Sequence, residues 1–252
     1  MELIDPNSLF FEIHRDNPRE GPGNFEATKK AFSYLKNLPP EPRVLDVGCG
    51  PGQQTLDLAK LTSGTIHAAD FHEVYLKDLR EKVHRRKLED RIFPVQGDMG
   101  NLKFEKESFD IIWAEGSIYI IGFEKGLNLW WPFLKPQGYM AITELTCLKN
   151  NPPKEANDFW MGVYPAMNSI DENVSLIKKA GYQFLAQFPL PKRAWWDDYY
   201  NSIKQRIGLL RSKYAGDAKA EDVFQSEELE MKMQDKYSDY FGYVFYIFQK
   251  PG

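Results

Sequence analysis

The stretch Val44-Leu45-Asp46-Val47-Gly48-Cys49-Gly50-Pro51-Gly52-Gln53-Gln54-Thr55-Leu56-Asp57-Leu58-Ala59-Lys60 decides the fold. Val44 to Val47 is a short apolar run, β-branched enough for a buried strand. Three glycines then alternate, Gly48, Gly50 and Gly52. After them Leu56, Ala59 and Leu58 give a helix an apolar side to lay on a sheet. Glycine has no Cβ to hold a ligand away, and a helix start presents unpaired N–H groups. Strand, turn and helix together make a site for a ligand that approaches the backbone closely.

The spacing narrows that ligand. A dinucleotide fingerprint puts its third glycine three positions after the second. Here that position is Gln53, and the third glycine comes one step early at Gly52. An acid, Asp46, precedes the first glycine by two residues. This D-x-G-x-G-x-G pattern after an apolar strand resembles motif I of the class I S-adenosylmethionine (SAM) methyltransferases. The resemblance implies that the turn, with Asp46, Gly48, Cys49, Gly50, Gly52 and Gln53, accommodates the methionine part of SAM.

Outward from the motif, strands and helices alternate. Apolar runs predict strands at Thr65 to Asp70, Arg91 to Gln96, Phe109 to Glu115, Tyr139 to Leu145, Tyr182 to Phe188 and Tyr243 to Gln249. Helical periodicity predicts helices over Asn24 to Leu38, Glu73 to Lys87, Phe123 to Leu134 and Asp171 to Ala180. Alternation of this kind predicts a parallel sheet with right-handed crossovers. The fold expected is α/β and Rossmann-like, a mostly parallel seven-stranded sheet with helices on both faces. The resemblance adds the strand order 3-2-1-4-5-7-6 and an antiparallel final hairpin. The sixth strand is expected to run antiparallel to the fourth, so its exit lies away from the pocket.

The chain of 252 residues suits one such domain. Two additions are expected: an N-terminal helical cover over 1–40 and a helical insertion over 189–242, before the last strand. The insertion is read as helices from Trp195 to Tyr214 and from Ala218 to Tyr240. Together the two additions are expected to cover the carboxyl ends of the strands. Asn151-Pro152-Pro153-Lys154 reads as a loop.

Net charge is −4, which argues against a phosphate-backbone binder. The basic run Lys82 to Lys87 suits a helix C-terminus. Two cysteines and four histidines, at 14, 67, 72 and 84, form no zinc pattern, so no metal is expected. No apolar run is long enough to span a bilayer. The start lacks a secretion signal, which makes the cytoplasm the default compartment.

Asp70 ends the second strand, 24 positions after Asp46. An acid at that distance can accept from ribose hydroxyls. Phe71 follows it, where a ring can pack on adenine. The resemblance implies that Asp98, in Gly97-Asp98-Met99, accepts from the adenine amino group and that the Met99 N–H meets the ring. Ligands of open α/β sheets lie beyond the strand carboxyl ends. That places Glu115 and Glu144 at a pocket mouth, as base, as partner of a cationic substrate, or beside the SAM amino group. Nearby positive charge favours an ionised carboxylate and burial disfavours it, so a neutral or cationic acceptor is expected. His14 and His72 are further base candidates. Tyr119, Trp160, Tyr164 and Trp195 are expected to contact the substrate.

The chain is identified as resembling the methyltransferase type 11 group, similar to the ubiquinone/menaquinone C-methyltransferases, over Asn24 to Phe188 and the last strand. The resemblance implies transfer of the SAM methyl group to a small molecule by in-line displacement, leaving S-adenosylhomocysteine. A SAM-binding regulator or partner without transfer activity is the alternative. A dehydrogenase-type nucleotide enzyme is a third reading, and the glycine spacing weighs against it.

Overall fold

The computed structural model describes residues 9–252. The part of the expected N-terminal cover at 1–8 lies outside the described residues. The chain opens with α1 (Leu9–His14) and α2 (Phe25–Phe32). Asn24 caps α2, its side chain accepting from the Ala27 N–H. The helix ends at Phe32, short of the expected Leu38.

Then follow β1 (Val44–Val47), α3 (Gln53–Leu61), β2 (Ile66–Asp70), α4 (Glu73–Arg86), β3 (Ile92–Gln96) and β4 (Phe109–Glu115). Next come α5 (Phe123–Trp130) and β5 (Leu134–Cys147), which begins earlier and ends later than its apolar run. The connection after β5 holds α6 (Lys154–Val163), a helix the sequence reading missed. Pro153 stands at its N-cap, so the expected loop ends where this helix starts. After α7 (Ile170–Lys179) and β6 (Gln183–Pro189) comes the insertion. It runs through α8 (Arg193–Trp195), a π-helical turn Trp196–Tyr200, α9 (Asn201–Lys213) and α10 (Ala218–Tyr237) into β7 (Phe241–Gln249).

The seven strands pair in the order β3-β2-β1-β4-β5-β7-β6. Strands β1 to β5 are parallel to their neighbours, and β7 is antiparallel to both β5 and β6. Two reversals restore direction, so β6 runs parallel to β4. This corrects the expectation that β6 opposes β4. The insertion therefore starts at the carboxyl end of the parallel strands and has no sheet to cross back over.

Alternate residues of each strand feed two cores. Val44, Ile66, Ile111 and Ala141 pack with α2, α3 and α4. Leu45, Ile112, Met140 and Tyr246 pack with α5 and α7. A third cluster joins Ile13 of α1 to Trp160 of α6 and to Trp195, Tyr200, Ile203 and Phe224 of the insertion. The N-terminal helix and the insertion thus share one core, fastened also by the Arg206 side chain donating to the Glu12 carbonyl at 2.8 Å.

Candidate active site

The turn after β1 has left-handed glycines, Gly48 at φ 72° and Gly50 at φ 51°, a region that L side chains enter at a cost. Space also requires Gly48: a Cβ there would lie 2.4 Å from the Ser117 Cβ. Asp70, at the end of β2, closes the turn. One of its oxygens accepts from the Gly50 N–H at 2.8 Å and the other from the His72 N–H at 2.9 Å.

Above this turn lies a cavity of about 800 Å³. Its floor is Gly48, Cys49, Gly50 and Gln54. The strand ends supply Asp70 and Phe71 from β2, Asp98 and Met99 from β3, and Glu115 to Ser117 and Tyr119 from β4. The other wall comes from the two additions: Phe10, His14, Arg19 and Glu20 before β1, and Tyr199 from the insertion. The volume lies in the range usual for ligand sites, roughly 300–1,000 Å³.

Several residues singled out in the sequence stand on this wall: His14, Gly48, Cys49, Gly50, Asp70, Phe71, Asp98, Met99, Glu115 and Tyr119. Asp98 accepts from the Gly100 N–H at 2.8 Å and so shapes its own turn.

Others are placed elsewhere, and these are corrections. Asp46 is fully buried beneath the turn, where it accepts from the Thr55 hydroxyl at 2.5 Å. Burial pushes its carboxyl pKa up to about 7. Its part is to hold α3 against β1. A Cβ on Gly52 would meet Leu79 of α4 at 2.3 Å, so that glycine serves helix packing. Gln53 donates to Asp57 at 3.1 Å and takes no part in the cavity wall. Gly97 extends the sheet, donating to the Asp70 carbonyl at 2.9 Å.

Glu144 is also off the wall. It is 2% exposed, on β5 between β4 and β7, and accepts from the Tyr164 hydroxyl at 2.6 Å. Its second oxygen has no partner among the described residues, and burial raises its pKa to about 8. Tyr164 stands one layer behind the cavity, its ring edge-on to Tyr119 at 5.9 Å. Trp160 and Trp195 belong to the third core, 6.2 Å apart. Burial of their large apolar area there leaves no face for a substrate.

Glu115 reaches the wall with both oxygens already engaged. One accepts from Arg19 at 2.8 Å; the other accepts from the Thr28 hydroxyl and the Trp113 indole, each at 2.8 Å. Arg19 also binds Asp57 at 2.6 Å. The carboxylate expected to be free for the acceptor instead fastens the N-terminal arm to the sheet.

Arg19 and Glu20 were missed by the sequence reading. The signal was present in Arg19-Glu20-Gly21-Pro22-Gly23, a charged pair ahead of a rigid turn. A Cβ on Gly23 would lie 2.8 Å from Glu115 Oε2 and 2.9 Å from Arg19 Nη1, so the glycine is what lets the pair close.

Residues 44–138 match the sequence family described as "Methyltransferase domain". That stretch of the chain is similar to a methyltransferase domain. It runs from β1 to the start of β5 and carries the whole cavity floor. The chain is 30% identical over 148 residues to Methyltransferase GfsG of Streptomyces halstedii, covering 57% of this chain and 53% of that one. It is 30% identical over 114 residues to a sterol 24-C-methyltransferase of Clavispora lusitaniae, covering 45% and 30%. The chain thus spans about half the length, or less, of these two relatives. Among solved structures, a SAM-dependent methyltransferase from Geobacter sulfurreducens in complex with S-adenosylhomocysteine superposes with a TM-score of 0.82 at 18% identity, covering 98% of this chain and 99% of that one. At that identity the likeness concerns the fold, and it extends beyond residues 44–138 to the N-terminal arm and the insertion.

Proposed function

We propose that the protein is a SAM-dependent methyltransferase acting on a small-molecule acceptor. The observation that carries this is the glycine turn closed by Asp70 at the floor of a large cavity, in a stretch that matches a methyltransferase domain. SAM fits the residues present. Gly48 and Gly50 expose backbone to the cavity, Asp70 and Asp98 offer carboxylates at its two far strand ends, and Phe71 and Met99 offer apolar flanks.

When bound, SAM supplies a methyl group already activated by its sulfonium. The chain's own work is then to position and to exclude water. Orientation of two reactants can lower a barrier by about 7–11 kcal/mol. In this reading Asp70 holds the ribose hydroxyls, and the arm around Arg19 and Glu20, with Tyr199, closes the cavity over the reactants. The walled cavity supports a small acceptor over a polymer. Residues from outside 44–138 contribute one wall of the cavity, while the family match covers only 44–138. For that reason the narrower likeness to quinone C-methyltransferases forms no part of the proposal. No helix of the described residues is long and apolar enough to cross a membrane, and the free thiols of Cys49 and Cys147 suit a reducing compartment such as the cytoplasm.

Titration calorimetry with S-adenosylhomocysteine and with NAD tests the cofactor assignment. Binding of the first and no binding of the second is expected; tighter binding of NAD overturns it. Release of labelled methyl groups from SAM to an acceptor separates an enzyme from a SAM-binding regulator.

A further inference from the structure

We propose that His14 and Glu20 form a base dyad, in which Glu20 fixes the imidazole so that Nε2 takes the proton from a hydroxyl or amine methyl acceptor. The proposal rests on the methyl-transfer reading above and assigns the acceptor class within it.

His14 Nδ1 stands 2.7 Å from Glu20 Oε2. Burial raises the Glu20 pKa, and the hydrogen bond and charge of His14 lower it; an ionised Glu20 accepts and does not donate, which assigns the ring hydrogen to Nδ1. In the neutral imidazole this leaves a bare lone pair on Nε2. That atom is buried and has no partner among the described residues, although His14 lines the cavity and is only 5% exposed. A buried acceptor left without a donor is destabilising. The missing donor is what an O–H or N–H acceptor would bring.

The ring is held on its flanks. Phe10 stacks on it at 4.2 Å between centroids and 21° between planes, and Tyr199 stands at 6.1 Å. The dyad also sits over the cofactor floor, since a Cβ on Gly50 would lie 3.5 Å from Glu20 Cγ. Two more acidic side chains, Glu227 and Glu230 of α10, lie within range of a charge on His14. Burial raises the pKa of Glu227 and Glu230, and positive charge on His14 lowers both.

The step balances. The acceptor oxygen or nitrogen forms a bond to the methyl carbon with its own lone pair. The carbon–sulfur bond breaks, and its electron pair leaves with sulfur in neutral S-adenosylhomocysteine. The acceptor's proton passes to His14 Nε2 and then to solvent. Glu20 is a positioning residue, acting through His14.

Long-range nitrogen–proton spectra of the full chain, labelled at its histidine nitrogens and saturated with S-adenosylhomocysteine, test this. The His14 signals are those lost in His14→Asn. The neutral ring is expected to carry its hydrogen on Nδ1, and Glu20→Ala is expected to move it to Nε2 or spread it over both nitrogens. His84, far from the cavity, is expected not to change. A wild-type hydrogen on Nε2, or a tautomer indifferent to Glu20→Ala, overturns the proposal. Should Glu20→Ala fail to fold, the wild-type spectrum alone still decides. Failure of S-adenosylhomocysteine to bind would sink the methyltransferase reading instead, and it is seen separately by calorimetry.

Discussion

Arg19 and Glu115 form an ion pair at 2.8 Å with side chains 3% and 4% exposed. The pair joins the N-terminal arm to the end of β4, directly beside the cavity. Asp57 of α3 takes the other end of the guanidinium at 2.6 Å. One arginine therefore ties three separate segments around the site. Removing one member of a buried pair strands the remaining charges and costs about 3–5 kcal/mol. Arg19→Ala is expected to lower unfolding stability by that amount, read from the denaturant midpoint. A loss below about 1 kcal/mol would show that the arm is not held here.

Asp70 carries a separate prediction. Hydrogen bonds to a charged group contribute about 1.5–3 kcal/mol. Asp70→Ala is expected to weaken S-adenosylhomocysteine binding by that amount in calorimetry. Unchanged affinity would remove Asp70 from the cofactor site.

Glu144 makes stability depend on pH. Its carboxyl is raised from an ordinary 4.5 to about 8 by burial, with the Tyr164 hydroxyl opposing. A raised pKa favours the folded state while the group is protonated. The benefit is complete below about pH 4.5 and is lost as pH climbs toward 8, with a slope of up to about 1.4 kcal/mol per pH unit. Asp46, raised to about 7, adds in the same direction. Glu144→Gln still accepts from Tyr164 and cannot ionise. Its stability relative to wild type is expected to rise steadily from pH 5 to pH 8 in thermal melts. A difference constant across that range would contradict the burial argument.

The strands were legible because apolar runs between turn signals have one physical meaning in an α/β chain. The glycine turn was legible for the same reason, since close backbone approach leaves few other residues. Helix α1, of six residues, is too short to show a period, and α6 hid behind Pro152-Pro153. The partner of Arg19 was illegible because it is distant: Glu115 lies 96 positions away. Glu144 misled for the opposite reason. A position near the end of a strand was read as a pocket mouth, but β7 continues alongside it and Tyr164 covers it.

Gly48 tests the turn itself. Gly48→Ala puts a Cβ 2.4 Å from Ser117 at φ 72°. Backbone strain of this kind costs on the order of 1–3 kcal/mol before the clash is counted. A lower melting temperature and loss of S-adenosylhomocysteine binding are expected together; full binding in this variant would show that the turn does not shape the cofactor site.

The most direct measurement is a crystal structure of the protein grown with S-adenosylhomocysteine. The account predicts the ligand in the cavity above Gly50, its ribose hydroxyls on the Asp70 carboxylate and its adenine between Phe71 and Met99. An empty cavity at saturating ligand, or ligand bound away from Asp70, would contradict it.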